Sequence, residues 1–283
     1  MKLLPMAELL ERAAAKGYAV PSFCVWNLEM AQTALRTAEE LRAPVILMSG
    51  PGEFPLVRPA ELSMAVHGLA EHFSVPSALH LDHGGSLAEV EECLAAGFTS
   101  VMLDYSARPF AENVAALRQV VEMAHPKGVT VEGEIGHVGS VDPVAVEGAI
   151  VSTLTDPEEA AAYAAETGVD ALAVAIGNAH GHYTRLPHLD LERLARIRER
   201  TTVPLVLHGG SGTPEGELRQ AISLGIAKVN VASDLITGVR ESLMEQWTAG
   251  RNLWTPAAMA QAMGAVAEVV AGWIRRTGAA GMA

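Results

Sequence analysis

The 283 residues are 49% hydrophobic, 19% charged and 5% aromatic, an ordinary globular composition with apolar material enough for a large core. A formal net charge of −13 argues against nucleic acid or an anionic membrane surface as partner. The two cysteines, Cys24 and Cys93, lie in apolar surroundings and are expected to be buried free thiols of a reducing, cytoplasmic setting. Met1-Lys2-Leu3-Leu4-Pro5 turns polar too soon for a secretion signal, and no apolar run is expected to reach membrane-spanning length.

Helical and strand patterns alternate along the chain. A helix is expected over residues 4–16, with Leu9, Leu10 and Ala13 on one face, then a strand over 19–24. A helix over 28–41 and a strand over 44–48 follow, and Ser49-Gly50-Pro51-Gly52 reads as a loop. Residues 59–73 are helical, 76–81 a strand, 87–95 helical, 100–103 a strand, 110–124 helical and 129–134 a strand. The rhythm breaks at Gly136-His137-Val138-Gly139-Ser140-Val141-Asp142-Pro143, and a loop running to about residue 153 is long enough to be functional. Asp156 caps the next helix, with Pro157 in its first turn. Strands over 170–176, 203–207 and 227–231 alternate with helices over 191–200 and 214–224, and helices over 234–246 and 256–276 close the chain. Eight short β runs separated by helices predict an α/β fold, a (β/α)8 TIM barrel with an extra N-terminal helix and extra C-terminal helices, in one domain over 1–283.

In such a barrel the chemistry gathers at the C-terminal strand ends. Those ends carry Asn27, Ser49, Asp82, His83, Asp104, Glu134, His180, His208 and Asn230, from all eight strands. Three apolar runs end in a histidine followed by glycine: Leu81-Asp82-His83-Gly84, Asn178-Ala179-His180-Gly181 and Leu207-His208-Gly209. His83, His180 and His208 could therefore meet as a tetrahedral zinc site with one position open. Asp104 and Glu134 join them as candidate metal ligands, and Asn27 and Ser49 as candidate substrate contacts. Asp82, next to His83, is either a carboxylate that orients a ligand or a general acid/base. Side chains of neighbours on an extended chain point apart, which frees Asp82 for proton transfer. Glu132 and Glu134 face the same way and need a partner, either a cation or a structural ion pair. Gly209-Gly210-Ser211-Gly212 and Asn230-Val231-Ala232-Ser233, after strands seven and eight, are candidate phosphate loops. The rival chemistry is a lysine Schiff base; of four lysines only Lys228 falls on a strand, with no obvious partner in sequence.

Together these motifs, with Val131-Glu132-Gly133-Glu134-Ile135-Gly136, Lys228-Val229-Asn230-Val231-Ala232-Ser233 and Arg108-Pro109-Phe110, resemble the class II, zinc-dependent ketose-bisphosphate aldolases of the fructose- and tagatose-bisphosphate branch. The resemblance runs from about Leu4 to the last helix. It implies a catalytic zinc on His83, His180 and His208, with Glu134 an alternative or second-metal ligand. It implies Asp82 as proton donor to the aldehyde-side oxygen, and Gly181, Gly209, Gly210, Ser211, Asn230, Val231, Ala232 and Ser233 as binding dihydroxyacetone phosphate, often with a monovalent cation (Na+ or K+) nearby. A phosphorylated sugar is the implied ligand and a homodimer or homotetramer the implied assembly. Two departures stand out. Asp142 occupies the place where the family's loop carries a glutamate, the base for dihydroxyacetone phosphate. His182-Tyr183-Thr184-Arg185 stands where a lysine is frequent, which leaves the aldehyde half open.

Overall fold

The computed structural model describes residues 2–139, 152–181, 187–251 and 254–283. Asp142, Glu147 and the 182–185 stretch therefore lie outside the described residues. Eight strands, β1 (Val20–Cys24), β2 (Val45–Ser49), β3 (Ser77–Gly84), β4 (Ser100–Leu103), β5 (Thr130–Ile135), β6 (Ala171–Val174), β7 (Leu205–Leu207) and β8 (Ile226–Val231), close into a barrel in sequence order. All pairs are parallel, and β1 meets β8 with Val20 opposite Lys228 and Ser22 opposite Asn230. This is the expected (β/α)8 architecture.

The helices of the outer layer are α2 (Leu28–Glu40), α3 (Pro59–Ala70), α4 (Leu87–Ala96), α5 (Phe110–Ala124), α6 (Pro157–Thr167), α7 (Leu191–Arg200) and α8 (Glu215–Ser223), followed by α9 (Ser233–Thr248) and α10 (Thr255–Arg276). Their starts follow local chemistry. The side chains of Asn27, Ser86, Asp156 and Asp190 accept main-chain N–H bonds in the first turns of α2, α4, α6 and α7.

The additional N-terminal helix α1 (Met6–Lys16) buries Met6, Leu9, Leu10 and Ala13 completely or almost so. Burial of each of the three larger side chains contributes about 1.5–3 kcal/mol. Leu4 N–H bonds the Ser77 carbonyl (2.8 Å) and Ala7 N–H the Thr130 hydroxyl (2.9 Å). Ser77 and Thr130 open their strands, so α1 closes the N-terminal end of the barrel and leaves chemistry to the opposite end.

Three expectations change. First, α10 is long and apolar enough to cross a membrane by length and composition. The sequence expectation that no run is so is corrected: its Val266, Val270, Trp273 and Ile274 are buried in the barrel's core cluster. Second, β3 does not end before Asp82 but runs to Gly84, with its pairing to β4 shifted between Leu81 and Gly84. His83 sits in that bulge with φ of 49°, a left-handed conformation uncommon for a residue with a β-carbon. The extended-chain argument that separated Asp82 from His83 does not hold there; the bulge itself aims them. Third, Lys228 has a partner. Its Nζ donates to Glu132 Oε2 at 2.8 Å, with both side chains fully buried inside the barrel.

Candidate active site

Parallel register carries three histidines to one point. His83 Nε2 lies 3.2 Å from His180 Nε2 and 2.9 Å from His208 Nδ1. The ring centroids of His83 stand 4.8 and 4.6 Å from those of His180 and His208. Each ring is also anchored from outside the cluster. His83 Nδ1 is 2.7 Å from Asp104 Oδ2, His208 Nε2 is 2.8 Å from Glu132 Oε1, and His180 bonds the Val138 main chain. Such anchoring fixes tautomer and ring orientation in metal-binding histidines.

Glu134 Oε1 accepts the Val138 N–H at 3.0 Å, while Oε2 is buried, 3.4 Å from His208 Nδ1, and has no hydrogen-bond partner among the described residues. An orphaned buried carboxylate oxygen beside three converging imidazoles is the donor set a divalent cation satisfies. His83, Asp104 and Glu134 form a second overlapping group with ligand atoms within 4.8 Å. Both oxygens of Asp104 are already engaged: Oδ2 by His83, and Oδ1 by the Ser106 N–H and hydroxyl at 3.0 and 2.7 Å.

The electrostatics follow from this crowding. Partial burial disfavours a charge on His83, but Asp82, Asp104 and Glu134 outweigh it and push its pKa up to about 10. Burial, then the His83 charge, holds His180 down to about 4 and His208 well below the ordinary range. Burial, then Asp104, lifts Glu134 to about 8. Burial also opposes ionisation of Asp104, yet the bonds from His83 and Ser106 win and keep it well below the usual carboxylate range.

Asp82 stands at the edge of this cluster, 19% exposed, with Oδ1 accepting the Asn230 amide at 2.9 Å. Asp82, His180 and Asn230 share a cavity with Gly181, Gly209, Ser211, Ala232 and Ser233. Its tight wall requires glycine: Gly209 has φ of 61°, and a Cβ there would lie 2.0 Å from the Ala179 carbonyl oxygen. Ser211 Oγ accepts the Asp234 N–H at 3.2 Å, in the first turn of α9. Gly210 turns toward β8, its N–H bonding the Asn230 carbonyl at 3.0 Å, and Val231 is fully buried in the core. Neither lines that cavity. Asn27 accepts the Met30 N–H at 2.9 Å and so caps α2, while the Ser49 hydroxyl is buried at the end of β2 without a partner among the described residues.

Some residues of the site were not singled out from the sequence. Asn178 Oδ1 accepts the Ile176 N–H (2.8 Å) and its amide donates to the His208 carbonyl (2.9 Å), tying the His180 loop to the end of β7. Its place two residues before His180 was the available signal. Ser106 and His137, whose Oγ and Nδ1 are 2.7 Å apart, sit beyond Asp104 and gave no pattern.

A parallel barrel whose strand ends bring a three-histidine cluster, a partly exposed carboxylate and a glycine-walled cavity together is the frame of a carbon–carbon lyase of the aldolase type. Residues 4–282 match the family model described as fructose-bisphosphate aldolase class-II, and the chain belongs to that family. The YdjI aldolase of Escherichia coli K12 is 33% identical, with a TM-score of 0.87 over 99% of this chain and 98% of that one. A putative fructose-1,6-bisphosphate aldolase of Coccidioides immitis is 31% identical, with a TM-score of 0.85 over 97% and 96%. The fructose-bisphosphate aldolase of Campylobacter jejuni shares the fold at 20% identity, with a TM-score of 0.86 over 100% and 97%.

Proposed function

We propose that the protein is a zinc-dependent aldolase that reversibly cleaves a ketose 1,6-bisphosphate of the fructose or tagatose type to dihydroxyacetone phosphate and an aldehyde such as glyceraldehyde 3-phosphate. The observation that carries this is the convergence of His83, His180 and His208 on one another, with the unpartnered oxygen of Glu134 3.4 Å from His208 Nδ1. A divalent ion held there supplies Lewis acidity toward the ketose carbonyl. The protein's own groups do the rest. As the C3–C4 bond breaks, Asp82 takes the proton of the C4 hydroxyl, and in the synthetic direction it returns it. Asn230 keeps the Asp82 carboxylate turned toward the cavity. The other proton, removed from dihydroxyacetone phosphate in synthesis, is assigned to Asp142 on the loop after β5. Support for that is sequence position alone: it is the first carboxylate after Glu134, within a glycine-broken segment.

The phosphate is assigned to Gly181, Gly209, Ser211, Ala232 and Ser233, loop residues that line one cavity with the start of α9 and are of the kind whose N–H groups bind phosphate. A monovalent cation beside it belongs to the same proposal. Asp104 acts by orienting His83, since both of its oxygens are engaged; Glu134 is the ligand with an oxygen to give. A single barrel domain over 1–283, a cytoplasmic setting and a homodimer or homotetramer complete the proposal. The free buried Cys24 and Cys93 support the setting. A different ketose 1-phosphate as substrate is the second assignment, favoured by His182-Tyr183-Thr184-Arg185 where the family often has a lysine.

The test is aldol cleavage before and after dialysis against a chelator, with borohydride added during turnover in a parallel sample. Activity should vanish with the metal and return with zinc, and no covalent adduct should form. Cleavage that persists in chelator would overturn the metal mechanism and return attention to Lys228. Condensing dihydroxyacetone phosphate with a panel of aldehydes then separates the two substrate assignments.

A further inference from the structure

Beneath the three histidines runs a buried line of charge that the proposed reaction does not use. Lys228 Nζ donates to Glu132 Oε2 at 2.8 Å, and Glu132 Oε1 lies 2.8 Å from His208 Nε2. All three side chains are shielded completely from solvent. His80 stands alongside, its Nε2 3.8 Å from Glu132 Oε2, its Nδ1 2.8 Å from the Ser100 hydroxyl. Glu132 thus divides its two oxygens, one to an ammonium and one to an imidazole. A pair serving only to neutralise charge inside the barrel has no need of the second contact. Burying a lysine and a glutamate carries a desolvation cost that packed apolar side chains would avoid, so the pair invites a role beyond stability.

That role follows from the direction of the hydrogen bond. An ionised carboxylate only accepts, so Nε2 of His208 carries the proton, which in the neutral ring leaves Nδ1 bare. Nδ1 is the nitrogen that faces the site, 2.9 Å from His83 Nε2 and 3.4 Å from Glu134 Oε2. Lys228 holds the other oxygen of Glu132 at 2.8 Å and supplies the buried carboxylate with a partner. We propose that Glu132 and Lys228 are positioning residues for the metal: together they lock His208 in the tautomer that offers Nδ1 to the site and make that nitrogen a stronger donor. The inference rests on the assignment of His208 as a metal ligand. It also gives the one lysine on a barrel strand a purpose other than Schiff-base chemistry, since its amine is committed to Glu132.

Two measurements test it. The first is zinc affinity, by competition with a chromogenic chelator, for wild type, His208→Ala, and the double substitution Glu132→Gln with Lys228→Met, which removes both charges at once and strands neither. Zinc should bind the double variant about 10–100-fold more weakly than wild type, with an altered visible spectrum of the cobalt-substituted site. A folded double variant with wild-type affinity and spectrum would overturn the proposal. The second needs no variant to bind metal: nitrogen NMR of the histidine-labelled, metal-free wild type, with the His208 signal assigned by its loss in His208→Ala. His208 should appear as the neutral Nε2–H form, and an Nδ1–H form overturns the proposal even if the double variant does not fold. Failure of wild type to bind zinc at all would count against the metal assignment, and the NMR result would still judge the tautomer.

Discussion

Asp82 and His83 are neighbours that face different surroundings, and they lie where the pairing of β3 shifts. His83 takes a left-handed conformation and turns into the histidine cluster, while Asp82 reaches the cavity and the Asn230 amide. Asp82→Asn keeps size and shape and leaves the three imidazoles alone. It should retain zinc and substrate binding while kcat falls by about 10²–10⁴-fold, the usual contribution of a general acid/base. Zinc analysis beside steady-state kinetics checks this; loss of metal in the variant would make Asp82 a structural residue. The three histidines were legible in the sequence because each ends an apolar run and precedes a glycine. Their anchors were not. Asp104, Glu132 and the Val138 main chain meet His83, His208 and His180 across strands, and that depends on barrel register, which no local pattern records. For the same reason Lys228 read as partnerless: Glu132 is 96 residues away along the chain.

At the scale of elements, helices were placed more closely than strands. Residues 110–124 and 191–200 match α5 and α7 to the residue: amphipathic spacing marks both, with Pro109 just before the first and the Asp190 cap opening the second. The strand expected over 100–103 matches β4, but the other strands moved at one end or both by one to three residues. Strands of a parallel barrel are buried on both faces and read as unbroken apolar runs, so nothing in the sequence says which residue pairs first. The loop after β7 is where an element is most exacting. Gly209→Ala would drive a Cβ to 2.0 Å from the Ala179 carbonyl oxygen at a positive φ, moving the segment that carries His180. It should lower stability by about 1–3 kcal/mol, as strained backbone does, and weaken zinc binding as well. Gly216→Ala in α8, with nothing within 4 Å of its Cβ, should be neutral or stabilising by about 0.4–1 kcal/mol. Urea denaturation of the two variants with and without zinc makes the comparison; equal behaviour would contradict this account of the loop.

At the scale of the whole molecule, the chain carries a strong negative balance and concentrates carboxylates around His83, which favours bound protons where the proposed metal would sit. His83 with a pKa of about 10 and Glu134 at about 8 are both protonated at pH 7 before metal binds. Zinc needs the bare imidazole and, if Glu134 ligates, the bare carboxylate. Binding must then release protons, and affinity must rise with pH. Between pH 6 and 8 the slope should be about two decades per unit if Glu134 is a ligand and about one if only His83 gives up its proton. Calorimetry in buffers of different ionisation enthalpy counts the protons directly, and a slope of zero would show that neither group is in the coordination sphere. Closure of the barrel by β1 on β8 adds a consequence in time. His83 waits for a partner 125 residues further along, so no part of the chain short of β7 holds the three imidazoles. On a ribosome the growing chain could therefore capture the proposed ion only after most of its length has emerged. Zinc affinity measured on fragments ending before Leu205 should stay at the level of two unassembled histidines, which makes the ion a timer for the completion of the barrel.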